Sequence, residues 1–449
     1  MLSAPSHQRL GIEAKTVFTN VMIVVNPLVW YYAVISVLQD VIGKMSLDTS
    51  MALLVWGIHF SGLISAALLG NLLTQKIGQR RFLIFWMTLG IISSLTLGAI
   101  YVSNILIVSF LALLLGVSLG VGMPTCMRFY TDCIPIEKRG RISGIIMFTF
   151  VIAMLMLTIV SVDAIFIGVI LAVWRLSSLL TFLWSKISAV APFKELKQKT
   201  GATSYKQIIS QQTFILYFIP WVMFSLVNYL PAALQASFVG EQNAFLLVIQ
   251  NGFIGIFAVV GGLLLDYIGR KRIAIAGFVM IGLSFSFLGA YPESVFSWYL
   301  SAILGGIAWG FVFVLFILTI WGDMSHSAPS DKYYALGVTP FFVSQFLGLT
   351  VGKYIAINVQ PYALFSFTAF FLFLAVLPLI YAPETLPEKT LKDRDLKSYT
   401  EKALKQAQKE AEKSQKKGNN KKASDDPEGE AEDNQEGYEE ARKLAEKYY

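Results

Sequence analysis

The chain has 449 residues, 55% of them hydrophobic and 14% charged, with a mean hydropathy of +0.61 and a formal net charge of +7. A water-soluble protein must cover its surface with polar groups, so this composition excludes a soluble globular domain and places the chain in a bilayer. Charge is also segregated: residues 384–449 hold 15 of the 36 Lys+Arg and 17 of the 29 Asp+Glu, which leaves the first 383 residues apolar and net +9.

A helix needs roughly 20 apolar residues to cross the hydrocarbon core. Taken in chain order, that length predicts twelve spans, at about 17–41, 51–73, 82–102, 105–127, 142–166, 172–192, 213–237, 243–266, 272–291, 297–322, 334–357 and 362–381. Asp163 and Arg175 blur the start of the sixth. The run from Val17 to Leu38 is too long for the apolar core of a signal peptide and lacks a small-residue cleavage site. The expected fold is all-α and integral to the membrane. Its parts are an amino-terminal segment (1–16), a first six-helix half (17–192), a linker (193–212), a second half (213–382) and a charged tail (383–449) that reads as disordered.

Loop charge predicts the orientation, because cytoplasmic loops carry the excess of Lys and Arg. One alternating set of loops holds Arg9 and Lys15, Lys76, Arg80 and Arg81, Lys138, Arg139 and Arg141, four lysines between Lys194 and Lys206, Arg270, Lys271 and Arg272, and Lys332; the other holds Lys44. Both termini are therefore expected in the cytoplasm, with the protein in the cell membrane.

The chain also repeats itself. "NLLTQKIGQRR" (Asn71 to Arg81) matches "GLLLDYIGRKR" (Gly262 to Arg272) at an offset of 191, and the same offset relates Asp132 to Asp323 and Pro192 to Pro383. Arg139 and Lys332, and Gly144 and Gly337, are 193 apart. Two similar halves in parallel repeat describe a transporter architecture with its solute site near mid-membrane.

On these residues the chain resembles the major facilitator superfamily over about 10–390, and its sugar and organic-ion porters in particular. "GLLLDYIGRKR" fits the motif between the second and third helices of a half, "PIEKRGR" the turn entering the fifth helix, and "PETLPEKT" the exit from the last. The resemblance implies a gate built from Gln75, Gly78, Arg80, Arg139, Gly262, Asp266, Gly269, Arg270 and Lys271. It further implies that Asp266 closes on the start of the eleventh helix, around Lys332 to Ala335. The three cations Arg270, Lys271 and Arg272 are explained equally well as topology signals. Gln75 and Asn71 depart from the motif, standing where an acid and a glycine belong, so the two gates are expected to be unequal. A neutral amide makes a contact of about half the strength of a charge-assisted one.

Candidate solute contacts are the uncharged polar and aromatic side chains of the spans: Asn26, Trp30, Tyr31, His59, Asn228, Tyr229, Gln235, Gln250, Asn251 and Gln345. Asn and Gln serve equally as hydrogen bonds between helices, and His59 is as well explained by packing. Arg175 in "VWRL" and Lys353 read as snorkelling to the outer headgroups. No Asp or Glu falls in mid-membrane and Ala112 stands where many relatives have an arginine, so proton coupling is not expected.

Cys126, Cys133 and the scattered histidines His7, His59 and His326 show no ligand spacing, so neither a metal nor a cofactor is expected. No nucleophile–base pair can be assembled from the spans either, so the chain is not read as an enzyme. The leading function is a secondary active or facilitative transporter of a small organic solute working by alternating access. The alternative is a membrane sensor on the same fold that signals through its charged tail. The expected partners are a small-molecule solute and the lipid bilayer, with no nucleic acid, and the chain is expected to act as a monomer.

Overall fold

Within a bilayer core every backbone N–H and C=O must be satisfied by the segment itself or by its neighbours, which leaves long apolar runs the helix as their solution. A computed structural model of the chain describes residues 13–45, 47–99, 104–159, 164–187, 203–228, 231, 234, 243–325 and 329–387, and no strand occurs among them. The amino-terminal set of helices is α1 (Ala14–Lys44), α2 (Thr49–Ile77), α3 (Gln79–Leu95), α4 (Ile105–Gly120), α5 (Met123–Cys133), α6 (Arg139–Ile159) and α7 (Ala164–Ser185). A short helix α8 (Tyr205–Ile209) precedes the carboxy-terminal set. That set is α9 (Gln212–Asn228), α10 (Asn243–Tyr267), α11 (Arg270–Ala290), α12 (Val295–Phe313), α13 (Ile320–Met324), α14 (Asp331–Thr350), α15 (Gly352–Asn358), α16 (Pro361–Leu374) and α17 (Val376–Tyr381). A π-helical segment, Val314–Thr319, joins α12 to α13.

Among the described residues nine helical stretches are long and apolar enough to cross a membrane, and Gln212–Asn228 is a shorter apolar helix. Large apolar side chains such as Leu106, Phe110, Phe296 and Tyr381 face outward, 64–77% exposed, as a lipid-facing surface requires.

Several expected boundaries move. The expected third span is a helix only to Leu95, followed by a 3₁₀ turn (Thr96–Ala99). The expected fifth span starts at Arg139, because the Ile136–Lys138 turn delivers the chain straight into a helix whose first-turn cation is buried in protein. The expected sixth starts at Ala164, so Arg175 marks the middle of α7 and not its beginning. Asp163, the residues after Asn228 that include Tyr229 and Gln235, and the tail from 388 onward lie outside the described residues.

Local chemistry sets the helix ends. The Asp48 carboxylate accepts from the Met51 N–H at 3.1 Å and the Asn104 amide oxygen from the Leu106 N–H at 2.9 Å, capping α2 and α4. Gly78 (φ 86°) and Gly269 (φ 109°) each end one helix and start the next, in a region of backbone space that favours glycine. They are 191 residues apart and perform the same turn.

Packing places α6 along α10, α2 along α4, and α14 between α9 and α2. One buried cluster runs through both sets of helices. A second joins α1, α2 and α4 to Val338 and Phe342 of α14.

Candidate functional site

The starts of α3, α6, α11 and α14 and the ends of α2 and α10 gather at one end of the bundle, here called the basic end. Gly269 turns the chain so that Asp266, in the last turn of α10, is fully buried against the first turn of α6. Its carboxylate accepts from the backbone N–H groups of Gly140 and Arg141, both at 2.9 Å, from Arg141 Nε at 3.2 Å and from Arg270 Nη1 at 3.1 Å. An anion is favoured there because the first-turn amides of a helix lack intrahelical acceptors and carry the positive end of its dipole. The close approach depends on two glycines. A Cβ on Gly140 would lie 2.5 Å from the Gly262 carbonyl oxygen, and one on Gly262 would lie 2.4 Å from that of Gly140.

The partner of Asp266 is thus the start of α6 in the amino-terminal set. The expectation of Lys332 to Ala335 is corrected: those residues begin α14, which meets α2 and α9, while the end of α10 lies along α6.

Arg270 extends the arrangement. Fully buried, it donates from Nε to Asp323 at 3.0 Å and from Nη2 to the Ile136 carbonyl at 2.7 Å. Asp323 also accepts from Arg139 Nη1 at 2.8 Å, and Arg139 spends its other donors on the carbonyls of Ile134 and Thr131. Glu384 caps α11, accepting from the N–H groups of Arg270 (2.8 Å) and Lys271 (3.1 Å), while Lys271 Nζ donates to the Ile380 carbonyl at 2.6 Å. Arg139 and Arg141 of the amino-terminal set thereby meet Asp323 and Asp266 of the carboxy-terminal set, and Arg270 bonds both carboxylates from within its own set. Removing one member of such a buried pair costs roughly 3–5 kcal/mol, because it strands the other charge.

The equivalent place on α2 and α3 is weaker. Gln79, 191 residues before Arg270, donates to Asp132 at 3.3 Å, where Arg270 makes an ionic bond to Asp323. Arg128 reaches Asp132 at 3.5 Å and Asp331 at 3.4 Å. Gln75 is exposed, and Arg80 lies over the Phe182 ring at 5.6 Å, away from any carboxylate among the described residues.

Between the membrane faces the candidate solute contacts separate. Asn26 and Trp30 turn into the amino-terminal set: Asn26 donates to the Trp174 carbonyl, Trp174 Nε1 donates back to the Asn26 carbonyl at 3.2 Å, and Trp30 Nε1 donates to Ser94 Oγ at 2.6 Å. His59 is buried, with Nδ1 donating to the Ala112 carbonyl at 2.8 Å. Since that carbonyl can only accept, Nδ1 carries the proton and ties α2 to α4, while the buried Nε2 has no hydrogen bond among the described residues. Asn251 bonds its own helix at Leu247 O (2.8 Å), and the Gln250 amide points toward Gly305 of α12.

Tyr31 does face across the sets, edge-on to Phe342 at 5.7 Å, and Phe60 and Phe346 form a second pair across the sets with centroids 6.0 Å apart. Half-buried Gln345 is on the same helix as Phe342, and buried Asn228 ends the described part of α9. A cycle of rings, Trp221, Phe224, Trp309, Phe313 and Phe341, joins α9, α12 and α14, with neighbouring centroids 4.3–6.4 Å apart.

Arg175 is corrected as well. Only 1% exposed, its guanidinium lies between the faces of Trp86 (4.6 Å) and Trp30 (5.4 Å), against the bare Cα of Gly90. Two indole faces and a missing side chain make room for a cation inside the set, and cation–π attraction replaces the headgroups expected to hold it.

Asp323, Arg141 and Glu384 were not on the list of gate residues. The 191-residue repeat of Asp132 marks the first and the Pro-Glu-Thr exit marks the last; Arg141 is marked by the loop charge and by closing the "PIEKRGR" turn.

Lipid-exposed apolar helices, a buried ionic network at one end and a ring-lined middle that holds no carboxylate among the described residues are the features of a multi-pass membrane carrier. The Major Facilitator Superfamily profile matches residues 19–332, and the chain belongs to that superfamily. It is a membrane transporter of small solutes by class. No curated protein matches the chain significantly. Among solved structures the fold is similar to that of the proton:xylose symporter XylE bound to 6-bromo-6-deoxy-D-glucose, with TM-score 0.64, 14% identity, and coverage of 82% of this chain and 96% of that one. A double-tryptophan mutant of XylE aligns with TM-score 0.62, 15% identity, and coverage of 85% and 98%.

Proposed function

We propose that the chain carries a small, uncharged or weakly charged organic solute by alternating access, with two six-helix halves (17–192 and 213–382) rocking about an interface whose basic end is cytoplasmic. The observation that carries this reading is the Asp266 network. It joins the two sets of helices through ionic and first-turn amide bonds, which can be broken and remade as units, while the middle of the interface holds rings and amides. A solute there would stack on Tyr31, Phe342 and Phe341 and bond to Gln345 or Asn228, with Tyr229 and Gln235 as further candidates.

His59 and Arg175 are both buried by packing inside the amino-terminal set, which favours facilitated diffusion or exchange over proton symport. The gate consists of Asp266, Arg270, Arg139 and Asp323, with Gly262, Gly269 and Lys271 shaping it, and the Gln75, Gly78 and Arg80 side forms the weaker counterpart. The test is to screen the purified protein for thermal stabilisation by sugars, organic acids, amino acids and organic cations, then to measure flux of the stabilising solute into liposomes. Stabilisation without flux, in liposomes where the protein is shown to be inserted, would favour a sensor over a carrier.

A further inference from the structure

The carboxylate that fastens α10 to α6 has no counterpart on α2, where Gln75 is exposed and makes no hydrogen bond among the described residues. The connection leading into α9 occupies the neighbouring ground between α2 and α14. Ser204 opens its short helix with a reciprocal cap: the Ser204 N–H donates to Gln207 Oε1 at 2.8 Å, and the Gln207 N–H donates to Ser204 Oγ at 3.2 Å. Ile208 is fully buried in the main core, which anchors the segment.

Three contacts tie this segment to the first turn of α14. Lys332 Nζ donates to the Thr203 carbonyl at 2.8 Å and sits 5.5 Å from the centre of the Tyr205 ring. Gln211 and Tyr333 exchange hydrogen bonds of 2.9 and 3.1 Å. One contact crosses to the other set of helices: the Tyr205 hydroxyl donates to the Leu68 carbonyl of α2. Burial, reinforced by the Asp331 carboxylate, pushes the Tyr205 phenol up to about 12, so it keeps its proton and remains a donor at neutral pH.

We propose that residues 203–211 are a strap that holds α2 to α14 at the basic end in place of the carboxylate missing at Gln75, and that Tyr205 is its catch. The strap rides on the second half, where Lys332 orients the ring, and grips the first half at Leu68. Opening the basic end on this side breaks the Tyr205 bond, the Thr131–Ser330 hydroxyl contact and the long Arg128–Asp331 pair (3.4 Å), whereas opening it at Asp266 breaks a buried cluster of shorter ionic bonds, so the strap side releases first. The inference rests on the alternating-access reading above.

The test uses the full chain in lipid nanodiscs, spin-labelled at Arg81→Cys and Arg272→Cys, two exposed positions at the basic end on opposite halves. Pulsed electron resonance then reads the distance between them. Tyr205→Phe and Lys332→Gln should each raise the ratio of long to short distances about fivefold, the worth of one ordinary hydrogen bond. Adding Gln75→Glu to Tyr205→Phe should return it toward the parent, since the 191-residue offset makes Gln75 the counterpart of Asp266, whose carboxylate bonds the first-turn amides of α6. Asp266→Asn is the control for opening at this end. If Asp266→Asn lengthens the distance while Tyr205→Phe and Lys332→Gln match the parent, the strap is wrong and the two-state reading stands. One short distance in every variant, Asp266→Asn included, removes the two-state reading and the strap with it. A Tyr205→Phe shift that Gln75→Glu leaves unreversed overturns the claim that the strap replaces the missing acid.

Discussion

Replacing Asp266 by asparagine keeps the shape of the side chain and removes its charge. The carboxylate accepts from two first-turn amides of α6 and from two guanidinium groups. An asparagine can offer one oxygen, and it turns an NH₂ group toward donors. Arg270 keeps Asp323 as a partner, so the loss is smaller than for a wholly stranded charge: about 2–3 kcal/mol, from charge-assisted bonds worth roughly 1.5–3 each. At about 1.4 kcal/mol per tenfold, that is a 30- to 150-fold shift toward separation of α10 from α6. Hydrogen exchange read by mass spectrometry on the peptide carrying Gly140 and Arg141 measures it directly. Their protection should fall by that factor in Asp266→Asn, with little change at α4. Asp132→Asn should change that protection much less, its carboxylate contacts to Gln79 and Arg128 lying within the amino-terminal set and being 3.3–3.5 Å long and partly neutral. Unchanged protection of Gly140 and Arg141 in Asp266→Asn would refute the idea that this carboxylate holds α6.

Gly262→Ala should lower the melting temperature and weaken closure, because its Cβ would meet the Gly140 carbonyl at 2.4 Å and two backbones would have to part; thermal unfolding and the same exchange peptide read both effects. Gly90→Ala would place a methyl 2.2 Å from Arg175 Nε, and should destabilise by about 1–3 kcal/mol in a denaturation series, with Arg175→Met added to it restoring stability. In liposomes under a pH gradient with the membrane potential clamped, solute should equilibrate without accumulating; accumulation that vanishes in His59→Gln would make His59 a proton site. A reporter active only in cytoplasm should work when fused after Arg272 and stay silent after Lys44, and the reverse pattern would invert the proposed orientation.

The sequence by itself determined the class of fold and the local turns. Apolar length leaves the chain no alternative to helices in a bilayer, and the 191-residue offset pairs Gly78 with Gly269 because each junction needs a backbone that only glycine adopts cheaply. It also marked Asp266 as costly to leave unpartnered, since a carboxylate is unfavourable at the end of its own helix. What the sequence could not say is which helix arrives opposite that carboxylate. The choice between α6 and α14 depends on Gly140 and Gly262 meeting across 122 residues of chain, and only the packed structure brings them together. Helix facing was equally hidden. In a membrane bundle the lipid side and the packed side are both apolar, so no polar stripe shows that Asn26 and Trp30 turn inward while Tyr31 looks across. Arg175 makes the same point: its place is made by Trp30, Trp86 and Gly90 on two other helices, and a cation with no room among them would have gone to the headgroups.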